Sequence, residues 1–357
     1  MLSDIPSRYL DWILALREAG PALDMTGSGL QTPLSLLEPP TDPDSWAPVA
    51  GGDGEIRRRL AERYRVPEAE VLPTQGTSLG LFLATASTVG AGDRVLVETP
   101  AYEALQRCVE AAGAEVVALV RRREAGWALD ADEVLASCDG RTRMVAVSDL
   151  HNPTGCRAGA ALPSLARRLE DRGIVLLVDE VYRDFVPGPL GTARALGSNV
   201  ITVSSLTKVY GFGGLRAGWV FAAPERLRRM VNLLRLLQVI DPVPAVAWFR
   251  RALERAGAIR ETSLARAARG AALFGDWLSL HPNLAVAPAA GGIHRWVLLP
   301  PGRSGTEVAR TLLEEHGVAV VPGVMFGDDS GIRVGVGGAP DAILQGLEAL
   351  GQVLDGS

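Results

Sequence analysis

Ser204-Ser205-Leu206-Thr207-Lys208-Val209-Tyr210-Gly211-Phe212-Gly213-Gly214-Leu215-Arg216-Ala217-Gly218-Trp219 contains Lys208, the only lysine among 357 residues. The chain has 36 Lys plus Arg, so its other 35 basic residues are arginine. Arg stays protonated in proteins, whereas a desolvated lysine can lose its proton and attack a carbonyl carbon. Drift from Lys to Arg explains the scarcity but not the location, because lysines ordinarily sit on solvated surfaces. Lys208 instead follows an apolar run, between small hydroxyl residues and a glycine-rich turn.

Outward from this stretch, short apolar runs alternate with helix-like segments. Strands are expected at Arg94–Glu98, Glu115–Leu119, Met144–Ser148, Ile174–Asp179, Val200–Ser204 and Ala217–Ala222. Helices are expected at Glu55–Arg65, Thr77–Val89, Tyr102–Ala112, Asp132–Ser137, Leu162–Arg172 and Pro224–Val239. Continuous runs such as Ile174-Val175-Leu176-Leu177-Val178 suit a mostly parallel sheet covered by helices on both faces. From about residue 250 the pattern becomes Ala/Arg-rich helix over Phe249–Leu280. A strand at His294–Leu299, a helix at Thr306–His316, a strand pair around Val318–Val321 and Gly331–Val336, and a helix at Pro340–Leu354 follow. That reads as a smaller α+β unit. Residues 21–54, rich in Gly, Pro, Asp and Thr, read as extended loop.

Composition bounds the function. The net charge of -5 gives no electrostatic case for nucleic acid or anionic membrane. No apolar run approaches the roughly 20 residues of a membrane helix. Charges in the first 20 residues break any signal-peptide core and suggest an amphipathic helix. Cys108, Cys138 and Cys156 are odd in number and lack metal-ligand spacing, so a reduced, cytoplasmic compartment and no metal are expected. The glycine clusters at 211–214 and 335–338 do not join a first strand to a helix, so neither is a dinucleotide fingerprint.

Ligands of open α/β sheets sit at the carboxyl ends of the strands, so the polar residues there are the candidates. Asp179 ends a buried strand and needs a cation unless it simply caps a turn. Asn152, in Asp149-Leu150-His151-Asn152-Pro153-Thr154-Gly155, follows another strand in turn-forming sequence; His151 reads as a loop residue. Gly76 and Thr77 open an apolar helix, where free amides and hydroxyls can seat a phosphate or serve as an ordinary cap. Arg333 stands inside an otherwise apolar strand, a place with few bland explanations for a guanidinium.

Ser205, Thr207, Lys208, Gly211, Gly214, Arg216 and Gly218 fill every fixed position of Ser-x-Thr-Lys-x-x-Gly-x-x-Gly-x-Arg-x-Gly. This resembles the lysine motif of the fold-type I pyridoxal-phosphate enzymes, the class I/II aminotransferases. The resemblance covers nearly the whole chain and implies a large domain over 46–250, with 1–45 and 251–357 forming the smaller one. It implies pyridoxal 5'-phosphate held as an imine on Lys208, with Asp179 on the ring nitrogen and Tyr182 and Asn152 on the phenolic oxygen. Tyr102 would stack on the ring, while Gly76, Thr77, Ser205 and Arg216 hold the phosphate. Arg333, Gly29, Asn152 and His294 would face the substrate, an amino acid or 2-oxo acid, in a homodimer with shared sites. Lyase, decarboxylase, cyclase or oxidase outcomes share these residues. A ligand-sensing module fused to a DNA-binding head is the remaining alternative, and an acidic chain that enters the fold almost at once speaks against it. Trp46 stands where the family usually supplies a tyrosine to the partner's phosphate. Asp241, near the place of a dicarboxylate-binding arginine, weighs against aspartate or glutamate as the preferred substrate.

Overall fold

In the computed structural model, residues 5–40 and 54–355 are described; Trp46 lies outside them. The chain opens with α1 (Arg8–Ala19), begun by Ser7, whose hydroxyl accepts from Leu10 N, and ended by Gly20 in the left-handed conformation. β1 (Leu23–Asp24), α2 (Gly54–Tyr64), β2 (Val71–Thr74), α3 (Gly76–Ala86), β3 (Arg94–Thr99), α4 (Glu103–Ala111), β4 (Glu115–Val120), α5 (Ala131–Ala136), β5 (Thr142–Ser148), α6 (Ala161–Glu170), β6 (Val175–Asp179), β7 (Val200–Ser205) and β8 (Gly218–Phe221) follow. Then come α7 (Pro224–Leu237), α8 (Val243–Ser279), β9 (Ala285–Val286), β10 (His294–Leu298), α9 (Gly305–His316), β11 (Val318–Ala319), β12 (Val321–Pro322), β13 (Gly331–Gly335) and α10 (Pro340–Asp355).

Seven strands form the large sheet in the order β2-β8-β7-β6-β5-β3-β4. β7, β6, β5, β3 and β4 run parallel, and β8 is antiparallel to both its neighbours. Strand periodicity divides the core. Met144 and Ala146 of β5 and Val175 and Leu177 of β6 pack on one face with residues of α3, α4 and α7. Val145, Val147, Leu176 and Val178 pack on the other with α5 and α6. Alternate residues point to opposite faces, and burying each such side chain stabilises the sheet by about 1.5–3 kcal/mol. That is why these strands read as unbroken apolar runs.

The structure departs from the sequence expectation at β1, β2, β9 and the stretch from Val318 to Val321. β2 was not anticipated, since four residues containing Pro73 make a poor strand signal; it survives as an edge strand, where proline is tolerated. The stretch from Val318 to Val321 is divided: β11 pairs in parallel with β1, whereas β12 pairs with β13. β1 itself lies in a segment that reads as loop, because a two-residue strand carries no periodicity.

Candidate active site

The carboxyl ends of β5, β6 and β7 and the amino end of α3 surround a cavity of about 610 Å³. Thr77, Tyr102, Asn152, Asp179, Tyr182, Ser205, Lys208, Arg216, Arg333 and Gly29 all line it. Residues up to 304 positions apart in sequence, counting from Gly29 to Arg333, thus meet in one place.

Lys208 Nζ donates to Ser28 Oγ at 2.7 Å. Burial lowers its pKa to about 8, with Tyr9 and Asp179 opposing and Arg333 and Arg216 reinforcing the shift. Gly29 lies against it; a Cβ there would stand 3.2 Å from Lys208 Cδ. Asp179 is buried and accepts from Val181 N at 2.9 Å, and among the described residues it has no ion-pair partner. Burial raises its pKa to about 7, and the neighbouring charge of Glu98 adds to this. Tyr182 is buried beside Ser28, and burial raises its phenol pKa. Tyr102 opens α4 with its ring edge-on to Tyr9 at 5.6 Å.

The phosphate-type residues gather at the start of α3. Thr77 Oγ1 is buried without a hydrogen-bond partner. Arg216, itself in the left-handed region, reaches among the described residues only the carbonyls of Gly213 and Gln75, each at 3.5 Å. Gly76 has φ +83°, and a Cβ on it would come within 2.7 Å of Arg216 Nη2. Glycine therefore keeps the guanidinium beside the helix terminus. Ser205 is buried and accepts from Thr207 N.

Arg333 is buried in the middle of β13 and, among the described residues, has no carboxylate partner. It donates to Asn152 Oδ1 at 2.9 Å, Thr26 O at 3.0 Å and Tyr9 Oη at 3.1 Å, and it sits over the Phe326 ring. Among the described residues its hydrogen bonds go only to neutral groups, so the site calls for an anion.

His294 is placed differently. It is buried behind Tyr182, with ring centroids 5.1 Å apart, and does not line the cavity. Both its ring nitrogens lack partners, and burial drives its pKa well below the usual imidazole range. His151 is also buried, between Thr154 Oγ1 and Pro100 O. Asp241 lies at the α7–α8 junction, where it accepts from Gln238. Tyr9, Ser28 and Ser148, not foreseen from the sequence, line the cavity. Tyr9 reads as one apolar position of an amphipathic helix, and only the packing of α1 over the strand ends brings it there.

A partnerless buried carboxylate, a depressed amine, an under-used arginine with an orphaned hydroxyl at a helix terminus, and a hydroxyl-lined wall fit pyridoxal phosphate. Its ring nitrogen, aldehyde and phosphate match them group for group.

The electrostatics also predict how the cofactor-free protein behaves. Asp179 titrates near 7 when folded against an ordinary 3.8, so the folded chain holds the extra proton between these values. Stability should therefore fall as pH rises from about 4 to 7. Lys208 titrates near 8 against 10.5, so the unfolded chain holds the extra proton and stability should rise from about pH 8 to 10.5. Glu180, also raised to about 7 by burial, adds to the first slope. The quantity to measure by calorimetry is thus the difference between wild type and Asp179→Asn, which should lose part of the acid-side slope and keep the alkaline one.

The chain is similar to known proteins along most of its length. The family model described as aminotransferase class I and II matches residues 48–350. Capreomycidine synthase of Streptomyces vinaceus is 32% identical over 313 residues, 85% of this chain and 79% of the relative. Arginine–pyruvate transaminase of Pseudomonas aeruginosa is 29% identical, over 80% of this chain and 76% of the relative. Among solved structures, an aminotransferase from Mycobacterium tuberculosis superposes with a TM-score of 0.87 at 25% identity, covering 99% of this chain and 97% of the other. The aspartate aminotransferase of Thermus thermophilus with maleate gives a TM-score of 0.85 at 24% identity, with the same coverage. The chain belongs to the class I and II aminotransferase family, within the fold-type I pyridoxal-phosphate enzymes.

Proposed function

We propose that the protein is a pyridoxal-phosphate-dependent aminotransferase that moves an amino group between an amino acid and a 2-oxo acid. The observation that carries this reading is the sole lysine sharing one cavity with a buried Asp179 that has no ion-pair partner among the described residues. When bound, the cofactor supplies an aldehyde for the lysine amine and a protonated ring that accepts the electron pair left at the substrate Cα. Arg333 binds the substrate α-carboxylate, with Asn152 and Tyr9 fixing the plane of its guanidinium. Lys208 Nζ, partly deprotonated near neutral pH, takes the proton from the substrate Cα. Ser28 holds that nitrogen in place beforehand. Asp179 holds the ring nitrogen's proton, and Thr77, Ser205, Gly76 and Arg216 seat the phosphate. Tyr182 and Asn152 take the phenolic oxygen, and Tyr102 covers the ring. His294 backs the Tyr182 ring in an edge-on contact.

We read 46–250 as the cofactor domain and 1–45 with 251–357 as the smaller one. A cytoplasmic homodimer is the proposed form. Three free cysteines suit the compartment. The exposed run Leu236, Leu237, Val239 and Ile240 suits the dimer, and Gln238 within it bonds Gln75 beside the cavity.

A second reading has one specific support. The relative at 32% identity is named a synthase, so another outcome at the same substrate carbon is the alternative. One experiment separates them. Arginine and aspartate, which the relatives' names suggest, are screened against the cofactor-loaded protein with and without pyruvate. Transamination consumes the oxo acid one for one with the amino acid. Turnover that proceeds without any oxo acid would overturn the aminotransferase reading in favour of the second.

A further inference from the structure

Next to the cavity, but not in contact with it, lies a buried ion pair that the proposed chemistry does not use. Glu98 is the penultimate residue of β3 and Arg121 follows β4, and their side chains are 0% and 1% exposed, with Arg121 Nη1 donating to Glu98 Oε2 at 2.9 Å. Such a pair is expensive: desolvating both charges offsets their attraction, and an apolar pair of similar size serves stability as well. Its surroundings show what it does instead. Arg121 is fixed from the other side by Nε donating to Trp127 O at 2.7 Å, and Trp127 holds φ +54°, an unusual backbone for a tryptophan. Glu98 Oε1 accepts from both the amide and the hydroxyl of Ser148, the amide at 2.6 Å.

Ser148 is the junction. It pairs with Asp179 across β5 and β6, and it lines the cavity. With its proton committed to Glu98, its oxygen is free to accept from Asn152 N, at 3.4 Å. Asn152 Oδ1 in turn receives Arg333 Nη1 at 2.9 Å. An unbroken line of contacts therefore runs from Arg121 through Glu98, Ser148 and Asn152 to Arg333.

We propose that the Glu98–Arg121 pair is a positioning device that acts through Ser148 to set the Asn152 loop and the Arg333 carboxylate seat. Glu98 touches neither cofactor nor substrate in this arrangement. Its negative charge also adds to the burial that raises the Asp179 pKa. The loop is anchored on its other side by His151, whose ring joins Thr154 to Pro100. Removing the Ser148 contact should thus loosen Asn152 without unfolding the loop.

Because the roles of Asn152 and Arg333 come from the proposed function, the test starts from wild-type protein stripped of pyridoxal phosphate and reloaded with it. Two variants are compared: Ser148→Ala, which leaves the ion pair intact, and Glu98→Gln/Arg121→Gln, which removes both charges together and leaves neither unpaired. Pyridoxal-phosphate affinity is read by fluorescence titration of the cofactor-free proteins, and KM and kcat for the amino acid from steady-state rates. A misplaced seat should weaken cofactor affinity and raise KM, each by about tenfold, and leave kcat within about threefold of wild type. Should the double variant fail to fold, Ser148→Ala decides alone. Affinity and KM within about twofold of wild type in the variants that fold would overturn the proposal. So would a fall in kcat alone. A wild type that takes up no pyridoxal phosphate would instead sink the cofactor reading, and this inference with it.

Discussion

Lys208→Ala is expected to fold, to bind pyridoxal phosphate without a covalent link, and to lose turnover by about 10⁴-fold or more. Proton transfer by a positioned side chain contributes about 10²–10⁴-fold, and the covalent role of the amine is lost as well. Lys208→Arg should fare no better, since a guanidinium does not deprotonate in a protein. This chain makes the test unusually clean. With one lysine in 357 residues, no neighbouring amine can substitute. Borohydride treatment of the loaded wild type should place a single pyridoxyl group on the peptide carrying Lys208 and none elsewhere. Ser28 and Gly29 press on the lysine from the N-terminal segment, so the truncated side chain leaves a gap at the cavity wall rather than in a core. A well-folded variant that retains more than about one hundredth of wild-type turnover would remove Lys208 from the chemistry.

The second large effect is expected at Asp179. Asp179→Asn keeps the size and can still accept from Val181 N, but it cannot carry a charge. Breaking a buried ion pair costs about 3–5 kcal/mol. If all of that is felt in the transition state, kcat/KM falls by about 10²–10⁴-fold. The same substitution should stabilise the cofactor-free protein near pH 7, where the wild type must keep a partly ionised carboxylate out of water. Loss of activity together with a higher cofactor-free melting temperature would be hard to obtain from a purely structural residue. A variant that is less stable and equally active would show that Asp179 serves the fold alone.

Much of the site was legible because its chemistry restricts residue type at fixed spacing. Lys208, Ser205 and Arg216 stand within twelve residues, and Asp179 and Asn152 each follow an apolar run that could only be a buried strand. His294 shows the limit. A polar residue opening a strand reads as facing the substrate, yet its ring is covered by Tyr182. Strand periodicity says which face a side chain takes, and says nothing of what lies over that face. Tyr9 shows the converse: its place on a helix gave no hint of a contact with Arg333, 324 positions later.

The sequence by itself determined which atoms this protein can bring to a reaction. Amines, carboxylates and guanidinium groups are covalent facts, and their spacing along strands and turns follows from local backbone geometry. Only the tertiary structure decided which of them share a cavity, which are stripped of partners, and how far their proton affinities move. Desolvation and charge–charge coupling depend on what packs around a group in three dimensions. That is why Asp179 and Glu98, two acids near the ends of two buried strands, have such different surroundings: among the described residues one has no ion-pair partner at the cavity, while the other is tied to Arg121 behind it.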